Sequence, residues 1–480
     1  MFDVIVIGGG PAGVTATLRA RELGAAVALV EQGKMGGTCT NDGCVPTRVL
    51  AKAARLVRET RQFESYGLVR TSPELDFGRL MERTQTIVYT IHQKKQLIYH
   101  LESSGATVFA QAGTARFIDP HTIGLPDGRK LEAHKFILCS GGHARRLDFP
   151  GAELALSHQD IWSLRKLPRS IVIVGGAATG CQLATILAEF GARVTLLEKA
   201  PRILRIEDEM ISQIVQEAFQ EHGIQVIPQI DDVHNIEKLE RGLAINFSVG
   251  SERQHIETDA VILSSGWLGN VSALNLEAAG VEHERSYVRV NDYLQTSAEH
   301  IFAAGDITGR MMLVQSAGYE ARVAAENAVL GLGQHQKHEL VPHGGFTDPE
   351  YGGIGMTEAQ ARAAEDCAVA VVPYSDLDRA VIDGHTRGAC KMIVSRETHR
   401  ILGAHIVGEQ ALEIVHVVAA GMAADMWVEQ LAELEIAYPT FTAVVGLAAR
   451  KIIRELGVMP LTTQWRSLGI PHAEWERSSE

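Results

Sequence analysis

The chain has 480 residues, of which 46% are hydrophobic and 21% charged, and its formal net charge is -13. That length fits two to four domains of an ordinary globular protein. The acidic balance and the absence of a lysine or arginine block exclude nucleic acid as an expected partner, and no apolar run approaches the ~20 residues that span a bilayer. The acidic, glycine-flanked start predicts no signal peptide, and six scattered cysteines predict no disulfide scaffold, so we expect a cytoplasmic protein.

An apolar β run, Phe2–Ile7, leads into a glycine-rich loop in which Gly8, Gly10 and Gly13 have Gly-x-Gly-x-x-Gly spacing. A helical stretch and a second apolar run follow, and that run ends in Glu31. In a dinucleotide-binding unit the glycines admit the pyrophosphate to the helix N-terminus, and the acid binds the ribose hydroxyls. The alternative is a tight turn with a purely structural role.

The same pattern returns where Gly175 and Gly180 follow a second apolar run and Glu198 ends the next one. Two such units predict two nucleotides. Ala177 replaces the middle glycine, which leaves a decayed site as an alternative. Glu198 favours the free 2′-hydroxyl of NADH slightly over the 2′-phosphate of NADPH. Three nearby cations could still accept a phosphate: Lys199, Arg202 and Arg205.

Two cysteines, Cys39 and Cys44, follow closely on the first loop and precede a predicted helix over residues 45–59. The orphan N–H groups and the dipole of a helix N-terminus stabilise a thiolate, so a redox dithiol is predicted. A static disulfide and half of a zinc site are the alternatives. Because no second Cys/His pair at ligand spacing accompanies the cysteines, we predict no resident metal.

Together these segments resemble the flavoprotein disulfide reductases, the class I pyridine nucleotide-disulfide oxidoreductases that include lipoamide dehydrogenase, glutathione reductase and mercuric reductase. The resemblance implies an α/β fold with two Rossmann-like domains, for FAD and NAD(P), and a C-terminal α+β dimerisation domain. It also implies a homodimer whose active site is shared across the interface. The implied segments are 1–150 and 272–340 for FAD, 151–271 for NAD(P), 341–465 for dimerisation, and 466–480 as a tail.

The resemblance also implies roles for individual residues. Cys44 corresponds to the flavin-contacting, charge-transfer thiol and Cys39 to the interchange thiol that faces the substrate. Asp306, which follows an apolar strand and Gly305, corresponds to the aspartate that binds the ribityl chain of the flavin. Further cofactor contacts are implied at Gly37, Thr38, Arg48, Ala115, Ser140, Gly141, Gln182, Gly266 and Leu313.

Two departures from the family pattern concern proton transfer and the flavin. Disulfide-reducing members carry a C-terminal histidine and a glutamate five residues later, where this chain has Tyr438 and Ala443. A tyrosine with a pKa near ~10 is a poor base at neutral pH. Tyr438 therefore either fills the histidine's space or acts as a proton donor or ligand. Many members have a lysine–glutamate pair near the flavin; here Thr47 and Arg48 stand at the two possible lysine positions, and Gln182 replaces the glutamate.

Mercuric reductases also lack the histidine, and exchange of Hg(II) between thiolates needs no protonated leaving group. The leading hypothesis is therefore transfer of electrons from NADH or NADPH through FAD and the dithiol to Hg(II) or another thiophilic acceptor. No cysteine follows Cys390, so the C-terminal cysteine pair of mercuric reductases is missing. Dihydrolipoyl dehydrogenase, a non-catalytic flavin redox sensor and a simple diaphorase are the alternatives.

Overall fold

The computed structural model describes residues 1–69, 73–335 and 340–458. The predicted tail, residues 466–480, and the last seven residues of the predicted dimerisation segment lie outside the described residues. The described residues of Met1–Ile203 and Phe219–His338 form one compact unit, and those of Leu204–Ala218 and Glu339–Glu480 form a second. The finer division of the first unit into FAD and NAD(P) segments stays a prediction.

Within the described residues the strands are β1 (Phe2–Ile7), β2 (Val27–Val30), β3 (Thr107–Phe109), β4 (Arg116–Asp119), β5 (Thr122–Gly124), β6 (Lys130–Leu138), β7 (Gly142–Ala144), β8 (Ser170–Val174), β9 (Arg193–Leu197), β10 (Gln225–Ile227), β11 (Ile230–Lys238), β12 (Leu243–Val249), β13 (Glu252–Thr258), β14 (Ala260–Leu263), β15 (Trp267–Gly269), β16 (His283–Glu284), β17 (Tyr287–Val288), β18 (Ile301–Ala303), β19 (His343–Gly345), β20 (Tyr351–Gly355), β21 (Cys367–Pro373), β22 (Ala389–Ser395) and β23 (Ile401–Val407).

The helices of the same residues are α1 (Pro11–Glu22), α2 (Gly37–Asn41), α3 (Cys44–Glu59), α4 (Phe77–Lys95), α5 (Leu97–Ser103), α6 (Ala178–Glu189), α7 (Glu209–Glu221), α8 (Val314–Leu330), α9 (Glu358–Ala364), α10 (Asp378–Ile382), α11 (Ala411–Ala423), α12 (Val428–Glu433) and α13 (Ala443–Leu456). None of these helices is long and apolar enough to cross a membrane.

The first unit contains a sheet whose parallel core has the order β3-β2-β1-β6, with β18 paired to β6. Every residue of β2 is buried, as expected for a parallel strand that is covered on both faces. The register places Leu138 at the end of β6 opposite both Ile7 and Ala303. The carboxyl ends of β1, β6 and β18 are therefore level, so the loops that follow them emerge at one edge of the sheet.

A second parallel sheet of the first unit, in the order β10-β9-β8-β14, repeats this arrangement. Val174, the last residue of β8, pairs with Leu197 at the end of β9 and with Leu263 at the end of β14. Strand β8 precedes the second glycine loop and β9 precedes Glu198. The two strands are thus neighbours whose carboxyl ends are level. The two sheets show the repeated α/β unit that the sequence predicts.

Helix α3 is held between two other helices by an apolar cluster. Leu50 and Ala54 of α3 are buried with Met81 of α4, with Ile186 of α6 and with Phe190, the residue that follows α6. These contacts fix the axis of α3 in the first unit, and with it the position of its N-terminal residue.

The second unit is built on a five-stranded antiparallel sheet with the order β19-β20-β23-β22-β21. One face packs against helices α11 to α13, where Ile406, Val415 and Ile452 belong to the same buried cluster. Strand β22 is buried along its whole length, including the polar Lys391. A buried lysine needs ionic partners, and the segment 204–218, which belongs to this unit, supplies one of them.

Candidate active site and relation to known proteins

The loop after β1 closes on itself in a way that only glycine allows. Gly8 has a φ of +111°, and a Cβ on Gly13 would lie 1.7 Å from the carbonyl oxygen of Gly8. The Glu31 carboxylate accepts hydrogen bonds from the N–H groups of Gly9 at 2.6 Å and of Gly33 at 2.7 Å. The glycine backbone thus has no side chains where a pyrophosphate would approach, and the Glu31 carboxylate lies next to this loop. These residues therefore fit the adenosine half of FAD.

The loop after β8 has the same construction. Gly175 has a φ of +110°, and a Cβ on Gly180 would lie 1.8 Å from the carbonyl oxygen of Gly175. The Glu198 carboxylate accepts hydrogen bonds from the N–H groups of Gly176 at 2.5 Å and of Ala200 at 2.6 Å. These residues fit a second dinucleotide.

Ala177 does not change the shape of the second loop. Its φ and ψ are -80° and -175°, and those of Gly10 at the equivalent position are -76° and -172°. An alanine adopts such extended backbone without strain, and the Ala177 side chain is exposed. The loop therefore keeps the backbone of an intact site.

The dithiol segment lies directly against the first loop. Gly37 has a φ of +60°, and a Cβ on it would lie 2.9 Å from the Cα of Gly10. Gly37 opens the short helix α2, which also contains Thr38 and Cys39, and Cys44 is the first residue of α3. The predicted helix thus begins one residue earlier than expected, with the second cysteine in its first turn.

The two thiols have different proton affinities. The Cys39 thiol donates a hydrogen bond to the Cys44 sulfur, and this bond together with the backbone N–H of Cys44 lowers the pKa of Cys44 to about 7, although burial and the charge of Asp306 oppose the shift. The same bond is the main cause that raises the pKa of Cys39. Cys44 is therefore the thiolate and Cys39 the thiol in the reduced pair, and their roles towards flavin and substrate stay predictions.

Helix α4 supports the dithiol segment from one side. The side-chain nitrogen of Asn41 donates to the carbonyl oxygens of Met35 at 3.1 Å and Gly37 at 2.9 Å, and its oxygen lies 2.8 Å from His92 Nε2. Lys95 Nζ lies 3.3 Å from Thr40 Oγ1, and its charge lowers the pKa of Cys39.

Asp306 has partners that the sequence did not reveal. Trp267 Nε1 donates a hydrogen bond to Asp306 Oδ2 at 3.0 Å, and Glu320 of α8 accepts one from the N–H of Gly305 at 2.6 Å. Burial raises the pKa of the Asp306 carboxyl. The loop of Gly266, predicted near the second nucleotide, thus reaches the residue predicted to bind the flavin.

The remaining predicted residues lie around these elements. Ser140 Oγ donates to the carbonyl oxygen of Asn270 at 3.0 Å, and the Asn270 amide donates to the Ser140 carbonyl at 2.8 Å. Gly141 has a φ of +67°. Others occupy helix positions or the core: Arg48 in α3, Gln182 in α6, Leu313 as the N-cap of α8, and Ala115 in the apolar cluster beneath the sheet.

Tyr438 belongs to the second unit, where its hydroxyl donates a hydrogen bond to Asp378 Oδ2 at 2.6 Å. The ring is 78% exposed. This hydrogen bond raises the pKa of Tyr438, and the charge of the carboxylate adds to the shift because ionisation would place two negative charges side by side. The residue predicted to stand at the family's histidine position is therefore a group that holds its proton.

Comparison with known proteins identifies the family. The profile described as pyridine nucleotide-disulphide oxidoreductase matches residues 2–321, and that of the family's dimerisation domain matches residues 341–449. The chain is a pyridine nucleotide-disulphide oxidoreductase. It is thus an FAD-dependent NAD(P)H oxidoreductase that acts on sulfur groups, and its dimerisation domain makes it a homodimer.

Individual relatives share most of this chain. A mercuric reductase of Lysinibacillus sphaericus is 30% identical over 454 residues, covering 93% of this chain and 82% of the relative. A dihydrolipoyl dehydrogenase of Staphylococcus aureus is 31% identical over 458 residues, covering 94% and 96%. The HOCl-induced flavoprotein disulfide reductase RclA from Escherichia coli superposes with a TM-score of 0.83 at 26% identity, covering 93% and 99%. The predicted fold class and family are confirmed, whereas the relatives differ in acceptor.

The two loops predict separable defects. Gly13→Ala and Gly180→Ala each force a loop carbonyl to move, because the new Cβ has no room. We expect Gly13→Ala to weaken FAD binding by about tenfold or more, or about 1.4 kcal/mol. Gly180→Ala keeps FAD but slows its reduction by NADH. Flavin content and stopped-flow reduction measure the two effects. Gly318→Ala is the control, because its new Cβ would lie 3.8 Å from the nearest atom. Loss of FAD in Gly180→Ala and slow reduction in Gly13→Ala would reverse the assignment of the two loops.

The thiol pair predicts a pH dependence. In the reduced protein, alkylation of Cys44 should rise with pH through a midpoint of about 7, since only the thiolate reacts. Cys39→Ala removes the hydrogen bond that stabilises this thiolate, so the midpoint should move upwards. Mass spectrometry of the alkylated peptide measures both midpoints. An unchanged midpoint in Cys39→Ala would show that the bond does not set the pKa.

Proposed function

We propose that this oxidoreductase passes electrons from NADH through FAD and the Cys39–Cys44 pair to a thiophilic metal ion, with Hg(II) or Cu(II) as the model acceptor. The observation that carries the proposal is the hydrogen bond from Tyr438 to Asp378. Tyr438 stands, by the sequence comparison, where the family has its acid–base histidine. Bound at the loop of Gly8 and Gly13, with Asp306 at its ribityl chain, FAD supplies the two-electron link between nicotinamide and dithiol.

The proton requirement separates metal ions from disulfides. Reduction of a disulfide releases a thiolate, and a positioned acid–base group speeds such a step by about 10²–10⁴-fold. Tyr438 holds its proton more tightly than an ordinary tyrosine and cannot act as a base at neutral pH. A metal ion that exchanges between thiolates leaves no such group to protonate, so the chemistry does not need the missing histidine.

The thiols are suited to a soft cation. Thiolate sulfur is the preferred ligand of soft metal ions, and Cys44 offers one at neutral pH because its pKa is about 7. Loss of the Cys39 proton to solvent completes a bis-thiolate site. Two electrons then convert one Hg(II) to Hg(0), or two Cu(II) to two Cu(I), and NADH supplies them. A mercuric reductase is among the relatives, and RclA has been solved as a Cu(II) complex.

NADH is the proposed donor and the cytoplasm the proposed compartment. Glu198 stands at the second loop, where a carboxylate suits free ribose hydroxyls and repels a 2′-phosphate. The nearby Lys199 is engaged with Asp232 at 2.9 Å. A reducing compartment keeps a cycling dithiol in its working state.

Metal-dependent turnover tests the proposal. We expect Hg(II)- and Cu(II)-dependent oxidation of NADH, lost by about 100-fold or more in Cys39→Ala, and changed by less than about threefold in Tyr438→Phe because no proton is needed from it. Cys367→Ala, a buried cysteine of the second unit, is the matched control and should keep the rate. Equal rates in wild type and Cys39→Ala would overturn the proposal.

Dihydrolipoyl dehydrogenase is the second candidate, because a relative of that name covers 94% of this chain at 31% identity. Our proposal predicts that wild type oxidises dihydrolipoamide poorly. Restoring the dyad with Tyr438→His and Ala443→Glu should raise this rate by up to about 10²-fold, since the histidine can then exchange the proton. The NAD+-linked assay decides: a wild-type rate comparable to that with metal ions would favour the second candidate.

A further inference from the structure

Two histidines stand beside a glycine on one face of the sheet in the second unit. His343 of β19 pairs directly with Gly353 of β20, and Gly353 pairs with His405 of β23. Residues directly opposite one another project to the same face. A Cβ placed on Gly353 would lie 3.1 Å from His405 Nδ1 and 3.3 Å from His343 Nε2. The two ring nitrogens therefore converge on one point above the glycine.

Backbone carbonyls determine which nitrogen of each ring carries its hydrogen. His405 Nε2 lies 2.9 Å from the carbonyl oxygen of Met356, and His343 Nδ1 lies 3.2 Å from that of Val341. A carbonyl oxygen only accepts, so these nitrogens are the donors, and the neutral His405 ring carries its lone pair on Nδ1, above Gly353. His343 Nε2 donates to the Glu207 carboxylate and becomes a ligand when a metal ion displaces its proton to solvent. Metal-binding histidines characteristically donate their other N–H in this way.

His405 offers its lone pair in a fully enclosed place. Its side chain is only 1% exposed. Its Nδ1 has no hydrogen-bond partner among the residues that the structure describes. A buried nitrogen without a partner has a free-energy cost that a ligand removes.

A carboxylate completes the donor set. Glu207 Oε2 lies 3.1 Å from His343 Nε2, and the Glu207 side chain is 3% exposed. The adjacent Asp208 is occupied otherwise: it binds Lys391 Nζ at 2.8 Å and accepts from the N–H groups of Met210 and Glu358, both at 3.0 Å. Glu207 is thus the acid that contacts His343.

We propose that Glu207, His343 and His405 bind a divalent transition-metal ion, Zn²⁺ or Cu²⁺, in the dimerisation domain. Imidazole nitrogen and carboxylate oxygen are ligands of both ions. The three ligand atoms do not yet all lie within 4.8 Å of one another, and the described residues that meet this distance form a different group. Binding therefore tilts the two rings towards each other over Gly353. The site is independent of the acceptor proposed for the dithiol.

The test uses the full-length holoenzyme with Cys39→Ala and Cys44→Ala, so that the dithiol cannot bind the probe. We expect one Zn²⁺ per chain by elemental analysis after dialysis, and a Cu²⁺ EPR spectrum with splitting from two nitrogens. Loss of a ligand, in His405→Ala or His343→Ala, should weaken Zn²⁺ binding by about 10–100-fold or more.

Gly353→Ala is the sharpest variant, because it keeps all three ligands and places a methyl group at the point where the two histidine nitrogens converge. The φ of Gly353 is not positive, so alanine suits the backbone. We expect it to weaken Zn²⁺ binding as much as loss of a ligand does. His416→Ala, an exposed histidine on α11 of the same unit, is the control and should bind as before.

Two results would overturn the proposal: no Zn²⁺ or Cu²⁺ bound by the holoenzyme with Cys39→Ala and Cys44→Ala, or equal binding by this parent, His405→Ala and Gly353→Ala. Flavin content and dimer elution show whether each variant is folded. If a variant does not fold, the melting temperature of the parent protein decides, because an ion bound to the folded state must raise that temperature as the Zn²⁺ concentration increases. A negative outcome leaves the metal-acceptor proposal untouched, because that proposal depends on Cys39 and Cys44.

Discussion

The contact of Gly37 with Gly10 is the constraint on which the active site depends. A Cβ on Gly37 would lie 2.9 Å from the Gly10 Cα, so the dithiol segment can approach the first nucleotide loop only with no side chain there. The same loop closes by the approach of Gly13 to Gly8, and the Glu31 carboxylate holds it through two N–H groups. The parallel strands then bring the loop of Asp306 to the same edge.

The protonation states of the dithiol and of Tyr438 decide which reactions the active site supports. The hydrogen bond from Cys39 makes Cys44 the thiolate near neutral pH, while the bond from Tyr438 to Asp378 keeps the phenol protonated. The predicted electron-carrying pair thus includes a thiolate, while the residue at the predicted proton-transfer position keeps its proton. Acceptors that exchange between thiolates are compatible with that combination, which links the relatives named mercuric reductase to the geometry of this chain.

Structure also revealed interactions that no motif indicates. Trp267 and Asp306 are 39 residues apart, and their hydrogen bond joins two loops that the sequence assigns to different nucleotides. His343, Gly353 and His405 come together only through strand pairing. Glu207 joins them because residues 204–218 belong to the second unit. For this reason the sequence predicted no metal site, since none of these residues has ligand spacing along the chain.

The amino-acid sequence by itself determined the family, the two glycine loops and the dithiol, because each depends on residues within about one supersecondary unit, where spacing dictates geometry. It also located the substitution at Tyr438. Tertiary structure decided what each group does: which thiol carries the charge, that Ala177 leaves its loop unchanged, and that Tyr438 keeps its proton while donating to Asp378. Those properties depend on hydrogen bonds and burial between distant segments, and only the folded chain brings such segments together.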